Sequence, residues 1–392
     1  MTLYLISSYK GHRFLAVKKE NRVTDLFFEE ETDAKVGNIY LAKVVDLVRN
    51  TGGAFLSLGE EKAFLQLKPR ELKEIRPQDE LMVQVTKSAM KSKEIRVSRA
   101  VSIPGKYLVL SSEGEGISIS KKIGDPIRRQ ELTGLLSPKK AELEELSCAV
   151  VVRTQALTAS GEEILSELGE LMETFSMICR KAGTRTCYSL LYEAPGLFEA
   201  LIRDEKGGHP EEVITDDPEL FRSLSRRFSG GIPVKLHAED ISLGSLYSLE
   251  SAVEEALQKR VWLKSGAYLV IEYTEALTVI DVNTGKNIKK HDREESFLKI
   301  NLEAAEETAR QLRLRNLSGI ILVDFINMED KGHRRALMER LSELFKEDPV
   351  QAEAVDMTKL GLLEITRKKV RKPLHEVLLS DHGGGEAKDQ IS

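Results

Sequence analysis

Residues 268–283, Tyr-Leu-Val-Ile-Glu-Tyr-Thr-Glu-Ala-Leu-Thr-Val-Ile-Asp-Val-Asn, constrain the fold of this chain more than any other stretch. Two apolar runs joined by Thr-Glu-Ala read as two strands and a short connection. The second run ends on Asp281 and Asn283. Residues two apart in a strand share a face, so a carboxylate and an amide stand side by side at the end of a strand that is otherwise apolar. Residues 318–327, Ser-Gly-Ile-Ile-Leu-Val-Asp-Phe-Ile-Asn, give a second such strand, with Asp324 in its apolar run. Laid next to each other, the two strands bring two carboxylates to one edge of a core. Asp281, Asn283 and Asp324 then offer hard oxygen donors, a set suited to Mg2+ with retained waters and phosphate oxygens. The same aspartates can instead cap turns or close salt bridges, because a carboxylate in an apolar run is costly unless paired or metal-bound.

At 392 residues the chain exceeds one compact core, and roughly two to four domains are expected. No apolar run approaches the roughly 18–20 residues that span a bilayer, and the first ten residues lack the basic and small-residue pattern of a secretion signal. Cys148, Cys179 and Cys187 are odd in number and show no CxxC spacing, so neither a disulfide framework nor a zinc site is expected. A cytoplasmic protein is the expectation. The net charge of −5 argues against a generic basic nucleic-acid binder. Basic residues nevertheless cluster at Lys121–Lys122, Arg128–Arg129, 286–293, 310–315 and 367–372, and acidic ones at 141–145 and 303–307, which allows one positive face.

Residues 1–35 read as three short strands, too few for a domain, so they need a partner further along. From Val36 the texture changes to short alternating strands with glycine turns, the pattern of a small closed β-barrel. The order Gly-x-Ile-Tyr, Gly-Ala-Phe-Leu-Ser-Leu-Gly, Ala-Phe-Leu-Gln-Leu, Leu-x-Val-x-Val resembles the S1-type OB fold, an RNA-binding barrel. In that module surface aromatics stack on bases, and Phe55 and Phe64 occupy the matching positions. The alternative is that both rings fill the barrel interior. Further along, a buried strand from Cys148 ends on Arg153 and Thr154, a planar fork and a hydroxyl suited to phosphate, though strand-then-Arg-Thr is a weak signal alone. His209 is a lone loop histidine with no expected chemistry, and Trp262, the only tryptophan, is expected to anchor a core rather than stack on a base. Residues 380–392 are polar and expected to be disordered.

Three stretches, TEALTVIDVNTGK (274–286), NLEAAEETARQLRLRNLSGIILVDF (301–325) and GLLEITRKK (361–369), strongly resemble the ribonuclease E/G family, with DVNTG nearer its G-type branch. With the barrel, IPGKYLVL and VVRT, the resemblance covers about residues 1–378. It implies an α+β multidomain chain. An RNase H-like domain is split between 1–35 and 197–256. An S1/OB domain follows at 36–102, a 5′-sensor domain at 103–196 and a DNase I-like catalytic domain at 257–379. It implies that Asp281 and Asp324 hold one Mg2+ per site (Mn2+ possible), and that Asn283 orients them. It also implies that Gly105, Arg153 and Thr154 hold an RNA 5′-monophosphate. Phe55, Phe64, Lys286 and Arg367 are expected to contact RNA, with Lys289 a further nearby cation. The implied activity is Mg-dependent endonucleolytic cleavage of single-stranded RNA, leaving 5′-phosphate and 3′-hydroxyl ends, in rRNA processing and mRNA decay. DNA is not an expected partner.

The chain also departs from the family. No cysteine follows Cys187, so the CPxC zinc-link is not found, and the sequence ends before the family's small domain. The homo-oligomer that both features support is therefore left open. Asn327 stands where many members have a second aspartate, and Lys121–Lys122 replaces an arginine pair, keeping charge but losing the bidentate fork. A non-catalytic RNA-binding or rRNA-assembly factor on the same scaffold is the alternative reading. A weaker third is a nuclease that needs a partner protein.

Overall fold

The computed structural model describes residues 1–30, 36–48, 50–87, 94–204, 210–228, 231–285 and 293–379. It divides into two compact units, Met1–Glu29 with Glu205–Ser392, and Glu30–Asp204. Along the chain the second is inserted into the first.

The N-terminal strands β1 (Thr2–Tyr9), β2 (His12–Lys19) and β3 (Arg22–Phe28) form an antiparallel meander. In the inserted unit, β4 (Ile39–Val48), β5 (Gly53–Ser57), β6 (Lys62–Gln66), β7 (Glu80–Lys87) and β8 (Ile95–Ser98) close into a five-stranded barrel, because β4 pairs with both β5 and β7. Closure leaves no open sheet edge among these strands. Alternation sends Val44, Ala54, Leu56, Ala63, Leu65, Val83 and Val97 inward to one core.

A second sheet follows, built from β9 (Ser102–Pro104), β10 (Leu108–Ser111), β11 (Ile117–Ile119) and β12 (Ala149–Val152) in the order β11-β12-β10-β9. The helix Gly161–Thr184 covers it with Ile164, Leu168, Leu171, Phe175 and Ile178, a stripe at helical spacing. Ser160 and Glu163 begin that helix with a reciprocal capping box. β13 (Leu190–Tyr192) returns to the barrel and pairs with β4.

The N-terminal strands find their partner in β14 (Glu212–Thr215). It runs parallel to β1 in the register Leu3↔Glu212 to Ile6↔Thr215, and β15 (Val234–Leu236) completes a sheet ordered β15-β14-β1-β2-β3. The remaining strands are β16 (Arg260–Trp262), β17 (Tyr268–Tyr273), β18 (Leu277–Asn283), β19 (Gly319–Asp324), β20 (Ala352–Met357) and β21 (Leu363–Arg367). They form a six-stranded sheet ordered β16-β17-β18-β19-β21-β20. Leu269, Ile271, Ile280, Val282, Ile321, Val323, Leu363 and Ile365 share a core with Ala304 and Leu312 of the helix Arg293–Leu314, and with Leu337 and Leu341 of the helix Lys331–Lys346. The opposite face of this sheet carries Asp281, Asn283 and Asp324. Mixed α+β architecture with a closed barrel is thus what the strand patterning leads one to expect.

Candidate active site

Period-two alternation along β18 buries Ile280 and Val282 and turns Asp281 and Asn283 to the opposite face. β19 lies parallel to β18 with Asp281 directly opposite Asp324. The two Cα atoms are therefore about one strand spacing apart, ~4.8 Å, with both carboxylates on one face. Asn283 Nδ2 donates to Asp281 Oδ2 at 2.7 Å, which fixes one carboxylate oxygen and leaves the other open. Among the described residues, neither aspartate pairs with a basic side chain. Two uncompensated carboxylates at this separation repel each other, and a divalent cation between them removes the repulsion. Among the described residues no group of three or more His, Cys, Asp or Glu is placed to hold a metal. The donor set among the described residues is two carboxylates, which fits an ion that keeps waters and takes phosphate oxygens.

The surroundings hold these strand ends in place. The amide of Asn301, on the helix Arg293–Leu314, donates to Ile326 O at 2.8 Å and accepts from Ile326 N at 3.0 Å, clipping the chain two residues past Asp324. Gly285 adopts φ +67°, and a Cβ there would collide with the carbonyl of Gly266. The Asn-Thr-Gly sequence thus lets the end of β18 lie against the β16–β17 turn.

The phosphate-binding candidates also meet. Arg153, just past β12, donates Nη1 to the carbonyl of Gly105 and to Asp204 Oδ1, the latter at 2.8 Å. Thr154 opens the short turn Thr154–Leu157, which Arg128 clamps by donating to Ala156 O at 3.0 Å and Ala159 O at 2.8 Å. Two carboxylates here were not anticipated. Glu167 accepts the backbone N–H groups of Lys106, Tyr107 and Leu108, the last two at 2.8 Å each, and so fixes the loop that follows Gly105. Burial pushes the Glu167 carboxyl upward against those three donors. Burial also acts to raise Asp204, but Arg203 and Arg153 outweigh it and hold its carboxyl below the usual value. Sequence separations of 51 and 61 residues from Arg153–Asp204 and Lys106–Glu167 explain why no local pattern announces them.

In the barrel, Phe55 and Phe64 face each other across β5 and β6 with ring centroids 5.5 Å apart. Both stand on the outer face, half-buried, while Ala54, Leu56, Ala63 and Leu65 fill the interior. Gly53 is required beside them, since a Cβ there would run into the Phe64 ring. The guanidinium carbon of Arg96 lies 5.9 Å from the centroid of Phe64. Lys286, Lys289 and His209 lie outside the described residues, as does the tail 380–392.

Two expectations need correction. Arg367 does not face solvent; it is 4% exposed. Its guanidinium is engaged by Asp348 at 2.8 and 3.1 Å, by Asn316 Oδ1 at 3.0 Å and by Leu317 O at 3.0 Å, which leaves little of it for RNA. Trp262 is not a core anchor; it is 61% exposed, because Val261 takes the inward position of β16.

The ribonuclease E/G family pattern matches residues 102–370. The chain is 31% identical over 382 residues to ribonuclease G of Haemophilus influenzae, covering 90% of this chain and 77% of that protein. It is 30% identical over 383 residues to ribonuclease G of Escherichia coli K12, with the same coverage of 90% and 77%. Against ribonuclease E of Synechocystis it is 30% identical over 387 residues, 93% of this chain but 57% of that protein. The chain belongs to the ribonuclease E/G family, a family of endoribonucleases. No helix among the described residues is long and apolar enough to cross a membrane.

Proposed function

We propose that this chain is a metal-dependent endoribonuclease that hydrolyses phosphodiesters of single-stranded RNA, leaves 5′-phosphate and 3′-hydroxyl ends, and favours RNA carrying a 5′-monophosphate. Processing of rRNA and decay of mRNA in the cytoplasm are the settings that suit this activity. The observation that carries the reading is the register pair Asp281–Asp324 with its hydrogen-bonded Asn283, in a chain of this family. Asp281 and Asp324 would hold a Mg2+ ion, which when bound lowers the pKa of a coordinated water and offsets charge on the attacked phosphate. Asn283 keeps the Asp281 carboxylate in one rotamer, and Asn301 keeps the Asp324 strand end in register.

On the same reading the six-stranded sheet is the DNase I-like catalytic domain and the sheet of β1–β3, β14 and β15 is RNase H-like. The barrel is the S1 domain, and the four-stranded sheet with its long helix is the 5′ sensor. Phe55 and Phe64 offer two outward rings to unpaired bases, and duplex RNA cannot use them because its bases are already stacked. Arg153 and Thr154 would grip a terminal phosphate beside Gly105. Arg153 already balances Asp204, so an incoming monophosphate competes with a carboxylate for that guanidinium.

The test is cleavage of a fluorescent single-stranded RNA bearing 5′-monophosphate or 5′-hydroxyl, with Mg2+ or EDTA. Asp281→Asn and Asp324→Asn are expected to abolish cleavage while RNA binding persists. Arg153→Ala is expected to equalise the two 5′ ends without lowering the 5′-hydroxyl rate. Metal-independent binding with no cleavage by the unsubstituted protein would instead establish an RNA-binding role without catalysis.

A further inference from the structure

The polar face of the six-stranded sheet holds more than the acidic pair. Register places Arg260 opposite Val270, Val270 opposite Asp281, and Asp281 opposite Asp324, in one row across four strands. The next row is Trp262, Tyr268 and Asn283. Residues directly opposite in a sheet project to the same side, so all these side chains rise from the face that carries Asp281 and Asp324. Trp262 and Tyr268 have ring centroids 5.0 Å apart at 56°. The guanidinium carbon of Arg260 lies 4.6 Å from the centroid of Tyr268 and 5.7 Å from that of Trp262. Trp262 is 61% exposed, an unusual cost for the largest apolar side chain. Lys259, the preceding cation, is tied to Glu272 on β17, whereas Arg260 has no carboxylate partner among the described residues.

We propose that Arg260, Trp262 and Tyr268 form a stacking platform for an unpaired nucleobase adjacent to the cleaved bond, a substrate-positioning subsite on the catalytic sheet. The proposal rests on the endoribonuclease reading above. Tyr268 stands one strand spacing from Asn283 and Trp262 two, so the platform spans about 5–10 Å from Asn283. That is within reach of a neighbouring nucleotide on a strand whose phosphate sits at the acidic pair. The exposed indole offers a flat π-face, which takes any unpaired base. Arg260 stacks on both rings and keeps its fork free for the phosphate of the same nucleotide. An aromatic pair beside an arginine that has no carboxylate partner among the described residues suits a polyanion that carries rings, and that chemistry is single-stranded RNA.

Trp262 is the chain's single tryptophan, so its emission reports on this place alone. The test titrates a short single-stranded RNA into the full chain in EDTA and follows indole fluorescence, with binding measured independently by anisotropy of a 5′-labelled oligonucleotide. Emission is expected to quench as the RNA saturates, and an abasic nucleotide at one position of the oligonucleotide is expected to abolish the quench. With Mg2+ present, Trp262→Ala is expected to raise KM about tenfold with kcat nearly unchanged, and Trp262→Phe to restore most of the loss. Both substitutions are on an exposed edge strand, and thermal unfolding of each variant checks that the fold is kept. RNA that saturates and is cleaved normally, with emission unmoved and KM unchanged in Trp262→Ala, overturns the platform and leaves the nuclease reading standing. Neither binding nor cleavage by the unsubstituted protein overturns both.

Discussion

Arg367 ends an alternation, Leu363, Ile365, Arg367, whose first two members are fully buried. Its side chain therefore enters the core, and the core must neutralise it. Asp348 does so at 2.8 Å, with both partners' side chains only 3% exposed. Removing one member of such a pair leaves a buried charge without compensation, which costs about 3–5 kcal/mol. Arg367→Ala is expected to lower stability by about that amount in urea unfolding, and to leave the RNA affinity of the folded fraction unchanged. Loss of RNA affinity at unchanged stability would return Arg367 to the RNA-contact role. The basic run 367–372 hid this role, because a run of like charges reads as a solvated face while alternation reads one residue at a time. The acidic pair was legible for the opposite reason: Asp281 and Asp324 interrupt apolar runs, and no other pattern competes with the strand period there. Trp262 misled because its size favours burial, although Val261 beside it takes the inward position. Asp204 and Glu167 left no signal of the loop they hold, since Arg153 lies 51 residues from Asp204 and Lys106 lies 61 from Glu167.

At the scale of one element, the helix Arg293–Leu314 departs from simple amphipathicity. It buries Ala304, Ala305 and Leu312 against the six-stranded sheet, and it also buries Glu307, Thr308 and Gln311. The polar side faces β3: Arg22 reaches Glu307 at 2.8 Å, Arg310 donates to Val23 O at 2.9 Å, and Arg313 lies 3.4 Å from Asp25. Glu307 accepts from Arg310 and Gln311 as well, whereas the Thr308 hydroxyl is buried with no hydrogen-bond partner among the described residues. Asp25 is less well served. Burial pushes its carboxyl above 3.8 against the pull of Arg313 and Lys19, and Asp348 adds to the rise. The folded state thus holds the Asp25 proton more tightly than the unfolded chain does. Its contribution to stability is full below the unfolded value of 3.8 and declines as pH rises through the raised folded value. Asp25→Asn removes that titration. The stability difference between variant and parent is expected to shift in favour of the variant as pH rises from about 3.8, read as urea midpoints across a pH series. A difference that is constant with pH, or that shifts toward the parent, refutes this account of Asp25.

At the scale of the whole molecule, the segment Glu30–Asp204 has what an independent domain needs. Its barrel is closed, so no strand edge among β4–β8 waits for a partner from outside. It owns two cores, one inside the barrel and one between the four-stranded sheet and the helix Gly161–Thr184. The β4 and β13 strands inside it are tied together, since Tyr192 pairs with Ile39 and Ala194 N donates to Asn38 Oδ1 at 2.8 Å. All three phosphate-binding candidates and both outward phenylalanines lie within it, whereas Asp281 and Asp324 do not. Residues 30–204 expressed alone are therefore expected to unfold in one cooperative transition. They are expected to bind 5′-monophosphorylated RNA in preference to 5′-hydroxyl RNA and to cleave neither, with or without Mg2+. Arg153→Ala in the fragment is expected to remove the preference and keep the cooperative transition. A fragment that melts without cooperativity would show that the inserted unit depends on the rest of the chain for its fold. A folded fragment that binds both RNA ends equally would place 5′-end recognition elsewhere.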